Sequence, residues 1–244
     1  MLKALLCAVL LLAGGGAWAA QVVGVVAHLS GPLLDRKADG SVKVLALKSE
    51  VENGDTLVLE KNSYAQIRFV DNSEITLKPG TTFRIENFSY DAGKPEADSA
   101  AFSLVKGGLR SITGLLGKRN REKFSLKTPS ATIGIRGTTF IAQWVPPQVG
   151  EAMPPLTPAA PVLAPGLHLS VTEGAIVVTN NGGSLGFQAG QFGYVPGVDQ
   201  PPVIVPQNPG LQFAPPPSFS GGGTGPQAPG GGAAEKQGVD CIVR

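Results

Sequence analysis

Residues 128–144 constrain the fold of this chain more than any other stretch. β-Branched and aromatic residues alternate there with small or polar ones, at the period of two that a strand with one buried face requires. The apolar side changes parity within the run: Ile133 and Ile135 share one face, whereas Phe140, Ala142 and Trp144 fall on even positions. One residue between them has to be absorbed. Gly137 is the candidate for a β-bulge, because glycine reaches the positive φ that one bulge type needs. The bulge throws Arg136 sideways. Its planar fork is expected to pair with a turn carboxylate and lock the bulge, a structural role; a ligand-binding arginine is the alternative.

The chain around this strand reads as all-β. Short β-rich runs at 22–29, 42–47, 56–59 and 64–70 are separated by Ser30-Gly31-Pro32, Asp39-Gly40, Asn53-Gly54-Asp55 and Lys61-Asn62-Ser63, all turn chemistry. Thirty-three glycines, twenty-one prolines and only 6% aromatics fit many turns and few helices. A corner recurs, in which an apolar residue and two others precede a Gly: it ends at Gly54, Gly80, Gly108, Gly174 and Gly190. Two-strand units bent at such glycines predict a β-solenoid or β-roll-like stack, with a two-sheet β-sandwich as the alternative.

Four motifs, in order, resemble those of the FecR domain, a bacterial cell-envelope module. Val51 to Leu57, with Gly54 and Asp55, resembles its Gly-Asp turn. Ala65 to Ser73 resembles its strand and Asp-x-Ser turn at Asp71, Arg136-Gly137-Thr138 its Arg-Gly-Thr strand, and Val171 to Val178 its Val-x-Glu-Gly pair at Glu173 and Gly174. The similarity spans residues 22 to 195. By resemblance, such proteins include envelope signalling regulators in which a periplasmic domain meets a receptor while a separate cytoplasmic part controls a sigma factor. A cleavable signal stands here where that cytoplasmic part and its membrane helix would be, so the resemblance implies the recognition domain alone.

The termini carry the address. Lys3, the apolar run Ala4 to Ala13 and Ala17-Trp18-Ala19 read as a secretory signal peptide over residues 1–19. No later run is long and apolar enough for a membrane span, so a periplasmic or secreted protein is expected. The domain is placed at 20–195, with a Pro-rich insert at 146–166 that has to leave the sheet because proline cannot donate to a ladder. Residues 196–244 are Pro- and Gly-rich and are read as a disordered or extended tail. Cys241, the one thiol left after signal cleavage, is a candidate for an intermolecular disulfide or a tolerated free cysteine.

Little in the sequence can carry chemistry. Nineteen basic against eighteen acidic residues after cleavage give no field for a nucleic acid. His28 and His168 are the only histidines and lack the partners of a metal site, so no metal and no cofactor is expected. Asp55, Asp71 and Glu173 sit beside turns and are read as acceptors of turn N–H groups. The one charge concentration is Lys118, Arg119, Arg121 and Lys123, a basic tip beside Leu115 and Leu116 that suits an acidic patch on a partner, or else a solvated loop. The resulting expectation is a non-catalytic binding module of the envelope, recognising an envelope protein or a cell-wall glycan. A secreted structural scaffold is the alternative.

Overall fold

The computed structural model describes residues 21–147 and 163–219. The signal segment, most of the insert and Cys241 lie outside these residues. Fifteen strands form one continuous sheet: β1 (Val22–Ser30), β2 (Leu33–Arg36), β3 (Val42–Leu45), β4 (Glu50–Glu52), β5 (Thr56–Leu59), β6 (Tyr64–Phe69), β7 (Glu74–Leu77), β8 (Thr82–Ser89), β9 (Ser99–Ile112), β10 (Phe124–Lys127), β11 (Thr132–Val145), β12 (Gly166–Asn180), β13 (Gly183–Gln188), β14 (Phe192–Val195) and β15 (Val203–Val205). A short helix, α1 (Leu115–Arg119), follows β9.

Three strands, β9, β11 and β12, are long enough to run through two halves of this sheet. Their first or last parts join β3-β2-β5-β8-β9-β10-β11-β12-β13, and their other parts join β4-β1-β6-β7-β9-β11-β12-β14-β15. The halves fold over one another. Phe69 of β6 stacks on Phe88 of β8 with centroids 4.9 Å apart and lies 5.2 Å from Phe102 of β9, so rings from both halves meet in one core. The inward positions are the ones the alternation marked: Ile133, Ile135, Phe140 and Ala142 are all buried.

The bends are made at glycines. Gly107, Gly137 and Gly174 have φ of 85°, 66° and 70°, and the β11–β12 register shifts between Arg136 and Thr139. The bulge expected at Gly137 is therefore present, and it re-aims the rest of β11 into the other half. The solenoid expectation finds no counterpart in the pairing: among the described residues only β9 and β10 pair in parallel, and the other ladders are antiparallel. Recurring glycine corners mark sheet-to-sheet bends as well as solenoid turns, and sequence periodicity does not distinguish them. The two facing halves resemble the sandwich alternative, but their hydrogen bonding is continuous through the long strands.

The stretch from 196 is ordered as far as Phe219: β15 pairs with β14, and Leu211 is only 5% exposed. Its few apolar residues need no core of their own because they settle on the existing sheet. The loop 91–99 buries Asp98. The insert leaves from the β11–β12 hairpin where Val145 faces Gly166, and its root is fixed by Tyr194 Oη donating to Pro165 O at 2.6 Å. The protrusion itself, residues 148–162, lies outside the described residues.

Candidate functional site

The segment between β9 and β10 carries the basic tip, and two carboxylates hold it. Asp71 Oδ1 accepts from Ser73 N (2.9 Å) and Ser73 Oγ (2.6 Å), while its Oδ2 accepts from Leu116 N (3.1 Å). The turn acceptor expected from sequence thus also seats α1. Leu116 is buried under this contact and Leu115 is exposed. At the other end of α1, Arg119 forms a two-pronged pair with Asp98, at 2.7 and 2.6 Å, and donates to the carbonyl oxygens of Asp91 and Ala92. Its guanidinium lies 4.5 Å from the centroid of the Tyr90 ring. The Arg119 hydrogen bond holds the Asp98 carboxyl below the usual carboxylate range.

Arg119 is therefore an anchor of this segment. Its fork is spent within the chain, a correction to the sequence reading that grouped it with its neighbours. Nothing in the spacing could reveal its partner, since Asp98 lies twenty-one residues earlier. Lys118, Arg121 and Lys123 are exposed on the anchored segment.

Arg136 is the second correction. Its side chain is exposed and makes no ion pair among the described residues. The bulge is locked by Thr138, whose Oγ1 donates to Ala175 O at 2.6 Å and accepts from Arg136 N at 3.1 Å. Thr138 N donates to Thr113 Oγ1 at 2.9 Å, and Thr113 Oγ1 donates to Thr138 O at 2.7 Å, which ties the bulge to the root of the basic segment. A hydroxyl can accept and donate within one bulge, whereas a guanidinium only donates. Freed from that duty, Arg136 points to solvent.

The fold brings Arg136 and the basic tip together. Arg121, Phe124, Gly134, Arg136 and Val177 line an open groove of about 360 Å³, with Glu122 on its wall. On the other side of Arg136 a second groove of about 310 Å³ runs along Ala175, Val177 and Gly186 to Ile204. Small residues on the outward face of β11, β12 and β13 leave the floor shallow, and the cations stand at its rim. Phe124, Gly134, Val177 and Gly186 were not singled out in the sequence, because their juxtaposition depends on cross-strand register.

The remaining motif residues are internal. Gly54 turns with φ of 88°, and Asp55 Oδ2 accepts from Glu52 N at 2.7 Å. Lys37 Nζ sits 2.9 Å from Asp55, 2.7 Å from Glu52 and 3.1 Å from the fully buried Asp35. Burial works against the charged ammonium, but these carboxylates outweigh it and hold Lys37 above its usual range; burial pushes Asp35 up. Glu173 differs from expectation: it is exposed and accepts from Thr139 Oγ1 at 3.2 Å, not from a turn amide.

His28 Nδ1 donates to Gln66 Oε1. His168 is buried, with Nε2 donating to Ala164 O at 2.8 Å. A Gly-x-Ser-x-Gly spelling occurs at Gly182 to Gly186, yet it lies at the β12–β13 hairpin and Ser184 bonds Thr179. A nucleophile elbow requires a strand-to-helix turn instead. Among the described residues no group of acidic, histidine and cysteine side chains has the arrangement of a metal site.

No curated protein matches the chain. A crystal structure of a candidate anti-sigma factor from Parabacteroides distasonis ATCC 8503 is similar over 62% of this chain and 58% of that one, at 13% identity and a TM-score of 0.43. The chain thus spans little more than half the length of that protein. A second structure, named a cell surface anchoring domain, is similar over 25% of this chain and 82% of its own length, at 21% identity and a TM-score of 0.25. Residues 55–152 match the family model described as FecR protein, a narrower span than the motifs suggested, running from the Asp55 turn through the bulge at Gly137.

Proposed function

We propose that the chain is an exported, non-catalytic recognition module that contributes to envelope signalling through protein–protein contacts, and that it presents the groove at Arg136 to an acidic segment of an envelope protein. The single observation behind this reading is that Arg121 and Arg136, fifteen residues apart, line the same groove, and neither makes an ion pair among the described residues. Exposed cations around an apolar floor favour a carboxylate-bearing partner and fast, salt-dependent association. The FecR match supports a regulatory and non-catalytic role. No described helix is long and apolar enough to cross a membrane. Neither the comparisons nor the groove supports the glycan considered from sequence.

The test is site-specific photo-crosslinking in cells from positions 121 and 177, with position 43 on the distant strand β3 as control. Adducts with one envelope protein from both groove positions, lost in R121E/R136E, are expected. Identical adduct patterns from all three positions would remove the groove from consideration.

A further inference from the structure

The other outer face of the sheet is already occupied. Gln66 and Thr76 alternate with the core residues Ala65, Ile67, Ile75 and Leu77, so they point away from the core, yet they are only 6% and 5% exposed. Residues 206–219 run over this face as a strap after β15. Tyr64 of β6 meets Phe213 edge-on with centroids 6.4 Å apart and Phe219 at 6.2 Å. His28 of β1 lies 5.4 Å from Phe219, and the Arg110 guanidinium of β9 is 5.9 Å from the Phe213 ring. Lys78 Nζ donates to Gln212 O at 2.7 Å.

The manner of attachment is that of a bound peptide. Between Pro206 and Phe219 the strap has five prolines and no charged residue. It joins no sheet ladder there. It is held by two half-buried rings, the buried Leu211 and one charge-assisted bond to a carbonyl. Proline-rich segments docked on aromatic platforms bind in this way, because their extended backbone costs little entropy to order. Within the strap Asn208 closes a turn, its Oδ1 accepting from Gly210 N and Leu211 N.

We propose that this face, centred on Tyr64 with His28, Lys78 and Arg110 around it, is a second docking surface. Its ligand is an uncharged, proline-rich segment of another protein carrying two aromatic residues spaced as Phe213 and Phe219 are. The strap is the occupant in cis, and a partner engages by displacing it. The inference does not rest on the function proposed for the Arg136 groove.

A labelled synthetic peptide of residues 206–219 is titrated into the full chain and into full-chain F213S/F219S, with anisotropy as the readout and circular dichroism as the folding control. The tethered strap competes at high effective concentration, so the variant should bind at least about tenfold more tightly than the unaltered chain. A peptide with both phenylalanines replaced by serine should not bind either. In parallel, the peptide with benzoylphenylalanine in place of Phe213 is crosslinked to the unaltered chain, which needs no substitution in the protein; adducts around Tyr64 and Arg110 are expected. Equal binding by both chains, no binding by the folded variant, or adducts confined to other surfaces would overturn the proposal. A dimer of the unaltered chain that disappears in F213S/F219S would also overturn it, by making a second copy's strap the occupant.

Discussion

A Cβ built on Gly174 would lie 2.2 Å from the carbonyl oxygen of Gly137 and 2.9 Å from its carbonyl carbon. The bends of β11 and β12 are therefore stacked backbone on backbone, and the two strands turn from one half of the sheet to the other as a pair. Thr138, bonding to Ala175 O, fastens the same corner from the side.

The two glycines should respond differently to alanine. Gly137 has positive φ but nothing within 4 Å of a built Cβ, so G137A should cost about 1–2 kcal/mol, the left-handed conformational term alone. At Gly174 the obstacle is backbone, which has no rotamer to yield. G174A should exceed about 3 kcal/mol or fail to fold. Urea midpoints at equal m-values measure both, and equal costs would show that the stacked corner can open freely.

Anchor and rim can be separated on the basic segment. R119K keeps the charge but loses the fork that grips Asp98 and the loop carbonyls, so its thermal midpoint should fall clearly. K118E, R121E and R136E alter exposed cations and should each stay within about 0.5 kcal/mol of the parent while weakening partner adducts. An unchanged midpoint in R119K would return Arg119 to the binding surface.

Asp98 and His168 place acid sensitivity in two windows. Burial holds the His168 ring below its ordinary 6.5, against an opposing bond to Ala164 O, so the fold prefers the neutral ring. Its contribution is full above pH 6.5 and is lost as pH falls through the depressed value. Asp98, lowered from 3.8 by Arg119, acts in the same direction below that range. In H168Q the slope of stability just below pH 6.5 should flatten, while the deeper acid transition remains. A slope identical to the parent would exclude the histidine as its source.

Lys37 places its single positive charge against three carboxylates, of which Asp35 and Asp55 are almost fully buried. K37M leaves those charges without a counterion and should destabilise by about 3–5 kcal/mol at neutral pH. Asp35 is already raised above 3.8 by burial, so its protonated form suits the fold and stability lost as pH rises should return on mild acidification. K37M should therefore be more stable near pH 5 than at pH 7, and chemical denaturation at both values decides it.

Alternation and turn chemistry make the strands legible in the sequence, because side-chain period and positive-φ glycines are local properties. The parity change around Gly137 even located a sheet corner. The sequence could not reveal that the corner's lock is Thr138 and that Arg136 is left over, since both depend on which carbonyl of β12 lies opposite. The seat of Phe213 and Phe219 is hidden from the sequence for the same reason: their platform is assembled from β1, β6 and β9.

The amino-acid order alone determined an all-β chain with its bends at glycine and its apolar faces in place, since backbone conformation and amphipathic period are set within a few residues. Tertiary structure decided which cations are spent on Asp98 and which line a groove, and that the proline-rich strap lies on the sheet. Those outcomes depend on register across strands far apart in the chain, and a one-residue slip would send each side chain to the opposite face.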